Sequence, residues 1–133
     1  MVDSVSSALR SEIMSRVRSK DTRPEMIVRR MLHKAGYRYR LHVASLPGKP
    51  DLVFSGRRKV IFIHGCFWHL HDCGQARIPK SRVEFWTKKL RANKERDERN
   101  LVELRRQGWS VVTVWECQLG NAELLDELRR FLG

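Results

Sequence analysis

The sequence predicts a single α/β domain, and three observations lead to this class. Hydrophobic patterns typical of helices and of strands alternate along the chain. The length of 133 residues suits one domain with a core of its own. No internal repeat or low-complexity linker divides the sequence. We therefore expect a folded domain over residues 21–133, preceded by a basic, serine-rich segment over residues 1–20 that becomes ordered on a partner.

The first predicted helix covers residues 21–35. Thr22 and Glu25 have the spacing of a capping box, Pro24 stands in the first turn, and Gly36 is a stop signal. Two further helices are predicted where apolar residues recur at helical spacing, a long basic helix over residues 81–107 and a closing helix over residues 121–132.

Four strands are predicted from short apolar or alternating runs that end at turn residues. The run YRYRLHV alternates with a period of two, and the loop SLPGKP follows it. The runs DLVF and KVIFIH are joined by the turn SGRR, and SVVTVW has the pattern of a buried strand. The predicted strands cover residues 37–43, 51–54, 59–64 and 110–115.

Positive charge dominates the composition. The chain has 27 Lys and Arg against 15 Asp and Glu, a formal net charge of +12. Such an excess favours a polyanionic partner, with nucleic acid first and an anionic membrane surface second. No window approaches the roughly eighteen apolar residues of a membrane span, and the N-terminus lacks the apolar centre of a signal peptide. We expect a soluble cytoplasmic protein that does not insert into membranes.

Metal ligands are concentrated in the stretch GCFWHLHDC. Together with a later cysteine that follows the strand SVVTVW, this stretch supplies a set of three cysteines and one histidine, namely Cys66, His71, Cys73 and Cys117. The set is typical of structural zinc, and three cysteines leave a disulfide framework one short. The alternative is that these are small buried residues beside strands, which is common for cysteine. A zinc ion here would tie together the loops that follow two strands.

The same stretch contains the aromatic pair Phe67 and Trp68. Such a pair commonly packs in a core. In a loop of metal ligands on a basic protein, the pair could instead be an exposed apolar wedge that enters a stack of bases, with Trp86 beside it.

Polar residues at the ends of strands and on the long helix suggest a catalytic site. Asp51 begins a predicted strand whose neighbour ends at His64 and leads to His69, an arrangement suited to a hard divalent ion, Mg²⁺, that polarises a phosphodiester. Taken singly, Asp51 could be a turn residue and His64 a satisfied histidine at a strand end. Asn93 and Asp97 share a helical stripe with apolar residues, where polar groups need partners. An imidazole is a suitable partner for Asp97, because a carboxylate orients a histidine.

Four blocks of the sequence closely resemble the very short patch repair endonucleases: ASLPGKPDLVF, VIFIHGCFWHLHDC, EFWTKKLRANKERD and GWSVVTVWEC. The resemblance runs in order from roughly Ser11 to Cys117. It implies a restriction-endonuclease-like fold, with a central mixed sheet flanked by helices and a structural zinc site. Members of this family nick DNA 5′ to the thymine of a T·G mismatch, which arises when 5-methylcytosine deaminates. The resemblance thus implies a metal-dependent, strand-specific DNA nicking enzyme.

The resemblance implies catalytic roles for the residues of this sequence that match the family's catalytic positions. On that likeness, Asp51 binds the catalytic Mg²⁺. His69 is the general base, and Asp97 orients it. His64 contacts the phosphate near the cut. The cysteines and the histidine named above match the family's structural zinc site.

The match contains one residue with a second explanation and two departures from the family pattern. Glu25 would reach the metal through water, although its capping-box spacing with Thr22 explains it equally well. Ile63 stands where the best-known member has threonine, but this position donates a backbone carbonyl to the metal, so the difference should be tolerated. The acidic-x-Lys pair of restriction-like nucleases is replaced by Phe62 and His64, which is the repair family's own variant.

The family also pushes aromatic side chains into the duplex from one side, while the N-terminal region approaches from the other. Two residues of the long helix read the mismatch. The matching positions are Phe67, Trp68 and Trp86 for the aromatic wedge, Met14 for the N-terminal region, and Lys89 and Asn93 for the mismatch. The implied partners are double-stranded DNA with a T·G mismatch and other repair proteins, for a monomeric enzyme at the bacterial nucleoid.

The sequence leaves two alternatives open. A restriction-type endonuclease of the same fold would cut intact sites. A non-catalytic, zinc-stabilised DNA-binding module would keep the basic helix and the zinc without requiring Asp51, His69 and Asp97 together.

Overall fold

The computed structural model describes residues 22–66, 68–69, 71 and 80–133 of the chain. These ranges contain three α-helices and four β-strands, with short 3₁₀ helices at Ser55–Arg57 and Glu116–Gln118. In chain order the elements are α1 (Arg23–Lys34), β1 (Arg40–Leu41), β2 (Leu52–Phe54), β3 (Lys59–His64), α2 (Val83–Arg106), β4 (Ser110–Trp115) and α3 (Leu124–Leu132). This content confirms the predicted α/β class.

The strands form one mixed sheet in the order β1-β2-β3-β4. The first three pair antiparallel, whereas β3 and β4 pair in parallel and are joined by a crossover that contains α2. Their register places His64 opposite Trp115. The carboxyl ends of β3 and β4 therefore meet at one edge of the sheet, and residues that follow the two strands become neighbours.

Helices cover both faces of the sheet. On one face, α1 and α3 contribute a buried apolar set made of Val28, Leu32, Leu124, Leu128 and Leu132. On the other face, Leu104 of α2 packs with Val53, Val60 and Phe62. Successive residues of β3 point to opposite faces, and both faces are buried, which explains the continuous apolar run in this strand.

The first strand is much shorter than the alternation in YRYRLHV predicts. The prediction covers residues 37–43, whereas β1 covers Arg40–Leu41. Tyr39 packs against the core, and its hydroxyl donates to the Arg29 carbonyl at 2.8 Å. His42 leaves the extended conformation with a φ of 47°. Tertiary packing before the strand and a turn after it thus override the local pattern.

The ends of two helices also differ from the prediction. α2 begins at Val83, because Arg82 has a left-handed φ of 58°. α3 begins at Leu124 and not at residue 121. Asn121 Oδ1 accepts the backbone N–H of Glu123 at 2.9 Å, which forms a turn ahead of the helix.

Part of the predicted site lies outside the described residues, namely Met14, Phe67 and Cys73. The predicted N-terminal segment over residues 1–20 lies outside them as well. Within the described ranges, no helix combines the length and the apolar character needed to cross a membrane.

Candidate active site

A cleft of about 650 Å³ lies where β3 ends. Its walls come from α1, the loop before β2, the end of β3 with the loop after it, and α2. Predicted site residues that line the cleft are Glu25, Asp51, Ile63, His64, Trp68, His69 and Asp97. Lys49 and Arg96 add positively charged side chains. The fold thus brings together residues that stand far apart in the sequence.

One wall of the cleft holds a cluster of two carboxylates and one imidazole. The ligand atoms of Glu25, His42 and Asp51 all lie within 4.8 Å of one another. His42 Nε2 lies 2.8 Å from Glu25 Oε2, and Arg29 Nη1 donates to the same oxygen at 3.3 Å. Glu25 is 1% exposed, and no other charged residue in the described ranges is buried. A buried carboxylate needs partners of this kind.

Glu25 also belongs to the cap of α1. Its backbone N–H donates to Thr22 Oγ1 at 3.4 Å, as the capping-box spacing predicts for the backbone. Its carboxylate meanwhile contacts His42 and Arg29. The capping role and the cleft role are therefore compatible, because they use different atoms of the residue.

Asp51 lies beside the end of β3, where its Oδ2 accepts the backbone N–H of Ile63 at 2.7 Å. Burial raises the pKa of Asp51 to about 6; the hydrogen bond from Ile63 opposes the shift, and the neighbouring Glu25 carboxylate adds to it. Two carboxylates held this close repel each other unless a proton or a cation intervenes. Hard oxygen ligands of this type fit Mg²⁺.

A second cluster in the cleft contains His64, His69 and Asp97. His69 Nδ1 is hydrogen-bonded to Asp97 Oδ2, so the acid on the apolar stripe of α2 does have an imidazole partner. When Nδ1 carries the shared hydrogen, Nε2 of His69 is the basic nitrogen.

His64 stacks on His69, with ring centroids 3.7 Å apart and planes at 4°. Burial, and then the neighbouring His69, lower the pKa of His64 to about 4, against a smaller opposing effect of Asp97. His64 is therefore neutral at pH 7. It can offer an N–H donor, but it brings no positive charge to the cleft.

A third cluster lies beyond the ends of β3 and β4, where the parallel register makes Cys66 and Cys117 neighbours. Cys66 Sγ and Cys117 Sγ lie 3.6 and 3.4 Å from His71 Nδ1. A tetrahedral zinc ion with ordinary bond lengths separates a sulfur and a nitrogen ligand by about 3.6 Å, so these donors fit zinc. The His71 ring stacks on Trp115 at 4.0 Å, which fixes its orientation. The fourth predicted ligand, Cys73, lies outside the described residues.

The loop between Cys66 and His71 carries Trp68, which is partly exposed. Its ring packs edge-to-face against Trp86 of α2, with centroids 6.0 Å apart. Asn93 Nδ2 donates to the Trp68 carbonyl at 3.2 Å. Trp68 of the loop thus adjoins Trp86 and Asn93 of α2, and Lys89 is exposed on the same helix.

Sequence reasoning does not identify His42, Lys49 or Arg96 as site residues. His42 belongs only to an alternating run, and its contact with Glu25 joins residues 17 positions apart. Arg96 Nη2 donates to Asn93 Oδ1 at 2.8 Å, and this contact could have been expected from helical spacing.

Sequence comparisons relate the chain to proteins that cut DNA. The family model described as DNA mismatch endonuclease Vsr matches residues 2–75. The chain is 49% identical over 133 residues to the type II nicking enzyme V.XorIIP of Xanthomonas oryzae pv. oryzae, across 99% of this chain and 98% of that protein. It is 44% identical over 127 residues to the type II nicking enzyme V.NmeAIP of Neisseria meningitidis, across 96% and 91% of the two chains. The DNA mismatch endonuclease Vsr of Escherichia coli is 44% identical over 128 residues, across 96% of this chain and 82% of its own.

Proposed function

Because this chain belongs to the DNA mismatch endonuclease Vsr family and is therefore a DNA endonuclease, we propose that it nicks one strand of duplex DNA 5′ to the thymine of a T·G mismatch. Such a nick starts short patch repair of a deaminated 5-methylcytosine. The observation that carries the proposal is the shared cleft, where the Glu25 and Asp51 carboxylates lie near the hydrogen-bonded pair of His69 and Asp97. A cation site beside an oriented imidazole is suited to phosphodiester hydrolysis.

Asp51 and Glu25 are the residues that would hold Mg²⁺. Asp51 would bind the ion directly, together with the backbone carbonyl of Ile63, and Glu25 would hold it through a water molecule. The hydrogen bond from the Ile63 N–H supports this assignment, because it fixes the Asp51 carboxylate against the end of β3. When bound, Mg²⁺ supplies Lewis acidity at the phosphate and lowers the pKa of a water ligand.

His69 accepts a proton from the attacking water through Nε2. Asp97 holds the ring at Nδ1 and stabilises its charged form. The neutral His64, stacked on His69, contacts the phosphate as an N–H donor. Lys49 and Arg96, which line the same cleft, supply positive charge for the DNA backbone.

Replacing His69 should slow the chemical step strongly. We expect His69→Ala to lower the single-turnover nicking rate by about 10²- to 10⁴-fold, the range for loss of a general base. Asp97→Asn should have a smaller effect, and the double variant should be no slower than His69→Ala, since without the imidazole the carboxylate has nothing to orient. The rates are measured with labelled T·G duplex at saturating Mg²⁺ and DNA. His33→Ala, at an exposed histidine of α1, is the matched control. A parental rate in His69→Ala would place the base elsewhere.

A structural zinc ion on Cys66, His71, Cys73 and Cys117 is part of the proposal. Cys66 and His71 bracket the loop that carries Trp68 and His69. The ion would therefore hold the wedge and the base in place together. It would carry out no chemistry, because a closed site with four protein ligands leaves no position for water.

The partner in the proposal is a duplex with a T·G mismatch. Trp68 packs against Trp86. These two residues and Phe67 are the proposed wedge. Met14 approaches from the other side, and Lys89 and Asn93 read the mismatch. Insertion costs a few kcal/mol of unstacking, and a mispaired step opens more easily than a paired one. Deformability of the mismatch therefore contributes to selection.

Removing the wedge should reduce mismatch preference. We expect replacement of Phe67 and Trp68 by alanine to weaken binding to T·G duplex more than binding to paired duplex. Stacking is worth roughly 1 to 3 kcal/mol per base contact, so a loss of about 10-fold in affinity for T·G duplex is expected. Titrations of both duplexes measure the difference, and near-ultraviolet circular dichroism checks the fold. An equal loss of affinity for the two duplexes, or unfolding of the variant, would show that the two aromatic side chains pack in the core.

A supercoiled plasmid with one T·G pair in a methylation-site context tests the proposed function. We expect Mg²⁺-dependent conversion to open circles, and no conversion of the same plasmid with a T·A pair. Linear products from the paired plasmid would favour a restriction-type endonuclease. Tight binding without any cleavage would favour a zinc-stabilised DNA-binding module.

A further inference from the structure

The Glu25 carboxylate is held by His42, a histidine outside the proposed catalytic and zinc-binding residues. His42 Nε2 lies 2.8 Å from Glu25 Oε2, and the two side chains are 13% and 2% exposed. Arg29 Nη1 reaches the same oxygen at 3.3 Å. An ionised Glu25 carboxylate can only accept, and the hydrogen bond then requires the His42 tautomer that carries its hydrogen on Nε2. A charge-assisted hydrogen bond shielded from solvent is stronger than an exposed one.

The backbone at His42 brings this imidazole into the cleft. Its φ of 47° lies in the left-handed region, which residues other than glycine rarely adopt. In a continued strand, position 42 would face the same side as Arg40, which is exposed. The turn places the His42 side chain among the residues that line the cleft. The N–H of His42 also donates to the Asp51 carbonyl at 3.1 Å, which ties the two positions together.

We propose that His42 is a positioning residue that holds the Glu25 carboxylate beside Asp51 in the cation site. This inference rests on the proposed function, since it takes the two carboxylates as the cation site. Two donors on one oxygen of Glu25 restrict the rotamers of a side chain that begins on α1, while Asp51 is fixed separately by Ile63. The cation then meets a preformed site. Without His42, Arg29 remains on that oxygen but one of these two donors is lost, so the carboxylate is less ordered before the cation binds and binding weakens.

Manganese titration of the whole 133-residue chain, purified in the presence of zinc and measured without DNA, tests this role. The electron paramagnetic resonance signal of free Mn²⁺ falls on binding and reports affinity independently of nicking. We expect His42→Ala to weaken Mn²⁺ binding by about 10- to 100-fold, the usual effect of removing a residue that orients a metal ligand. His42→Gln should recover most of the affinity, because its amide nitrogen can donate in place of Nε2. His33→Ala, the exposed histidine of α1, should bind like the parent.

Parental Mn²⁺ affinity in folded His42→Ala would overturn the inference, and so would a His42→Gln variant as weak as His42→Ala. If His42→Ala does not fold, His42→Gln is compared with His42→Asn. The asparagine side chain is one methylene shorter, and its amide should not reach Glu25. We expect the asparagine variant to bind more weakly, and equal affinities would count against the role.

Asp51→Asn separates this inference from the proposed function. If Asp51→Asn binds Mn²⁺ as tightly as the parent, the cation is not held in this cleft and both proposals fail. If Asp51→Asn loses binding while His42→Ala keeps it, the cation site stands and the role of His42 is wrong.

Discussion

Asp51→Asn should abolish Mg²⁺-dependent nicking while binding to T·G duplex stays close to parental. The substitution removes the anionic ligand that would hold the ion, and with it the Lewis-acid and water-activation effects, which are worth several kcal/mol. Since each 1.4 kcal/mol is about a factor of ten in rate, we expect a loss of about 10³-fold or more. The basic side chains that contact phosphates remain, so affinity for DNA should persist.

Single-turnover nicking and equilibrium binding of the same labelled duplex measure the two effects side by side. Asp126→Asn, at an exposed acid in the first turn of α3, is the matched control and should nick like the parent. Normal turnover in Asp51→Asn would contradict the assignment.

The raised pKa of Asp51 gives this prediction a pH signature. Because burial and Glu25 raise the pKa of Asp51 to about 6, a proton competes with the cation below that pH. The affinity of the DNA-free protein for Mg²⁺ should fall as the pH is lowered through about 6, and binding there should release a proton. Calorimetry in buffers of different ionisation enthalpy measures both quantities. An affinity independent of pH across this range would show that Asp51 does not bind the ion.

Cys117→Ala should cost the protein both its zinc and much of its thermal stability. The parent should contain about one zinc per chain. Structural zinc contributes directly to the free energy of folding, and here it would join the ends of two neighbouring strands. We expect a destabilisation of about 3 kcal/mol or more, which corresponds to a fall in Tm of roughly 10 °C or more for a domain of this size.

Metal analysis and thermal unfolding of the purified variants test the zinc prediction. The control is Ser110→Ala. Ser110 is exposed at the start of β4, the strand that leads to Cys117, and this variant should keep both its zinc and its Tm. A folded, metal-free parent whose three cysteines all titrate as free thiols would end the zinc proposal.

The apolar run of β3 predicts this strand well, because β3 lies inside the sheet and is buried on both faces. The predicted ranges 59–64 and 110–115 coincide with β3 and β4. The run SVVTVW predicts a buried strand, but β4 is the last strand of the sheet in the described residues and only its Val114 is buried. The first strand could not be predicted in this way. Tyr39 packs against the core, and the chain turns at His42. The alternation of polar and apolar residues in YRYRLHV predicts neither effect.

In the candidate site, too, some contacts follow from local sequence patterns and others depend on tertiary packing. An imidazole partner for Asp97 could be expected, because a carboxylate on an apolar helical stripe needs one. The approach of Cys66 and Cys117 follows from the parallel register of the strands they succeed. The contact of His42 with Glu25 could not be predicted, because it depends on a left-handed turn and on how α1 docks against the sheet. Residues that act through long-range contacts of this kind carry no local motif.

Nicking of short duplexes labelled on one strand at a time tests whether this chain cuts one strand at a T·G mismatch. Each duplex carries one mismatch, or the matched T·A pair, in a methylation-site context, and is incubated with the protein and Mg²⁺. We predict a single cut 5′ to the thymine of the T·G pair, with the opposite strand and the paired duplex left intact. Equal cutting of the T·G and T·A duplexes, or cuts in both strands, would contradict the claim that this chain is a strand-specific mismatch endonuclease.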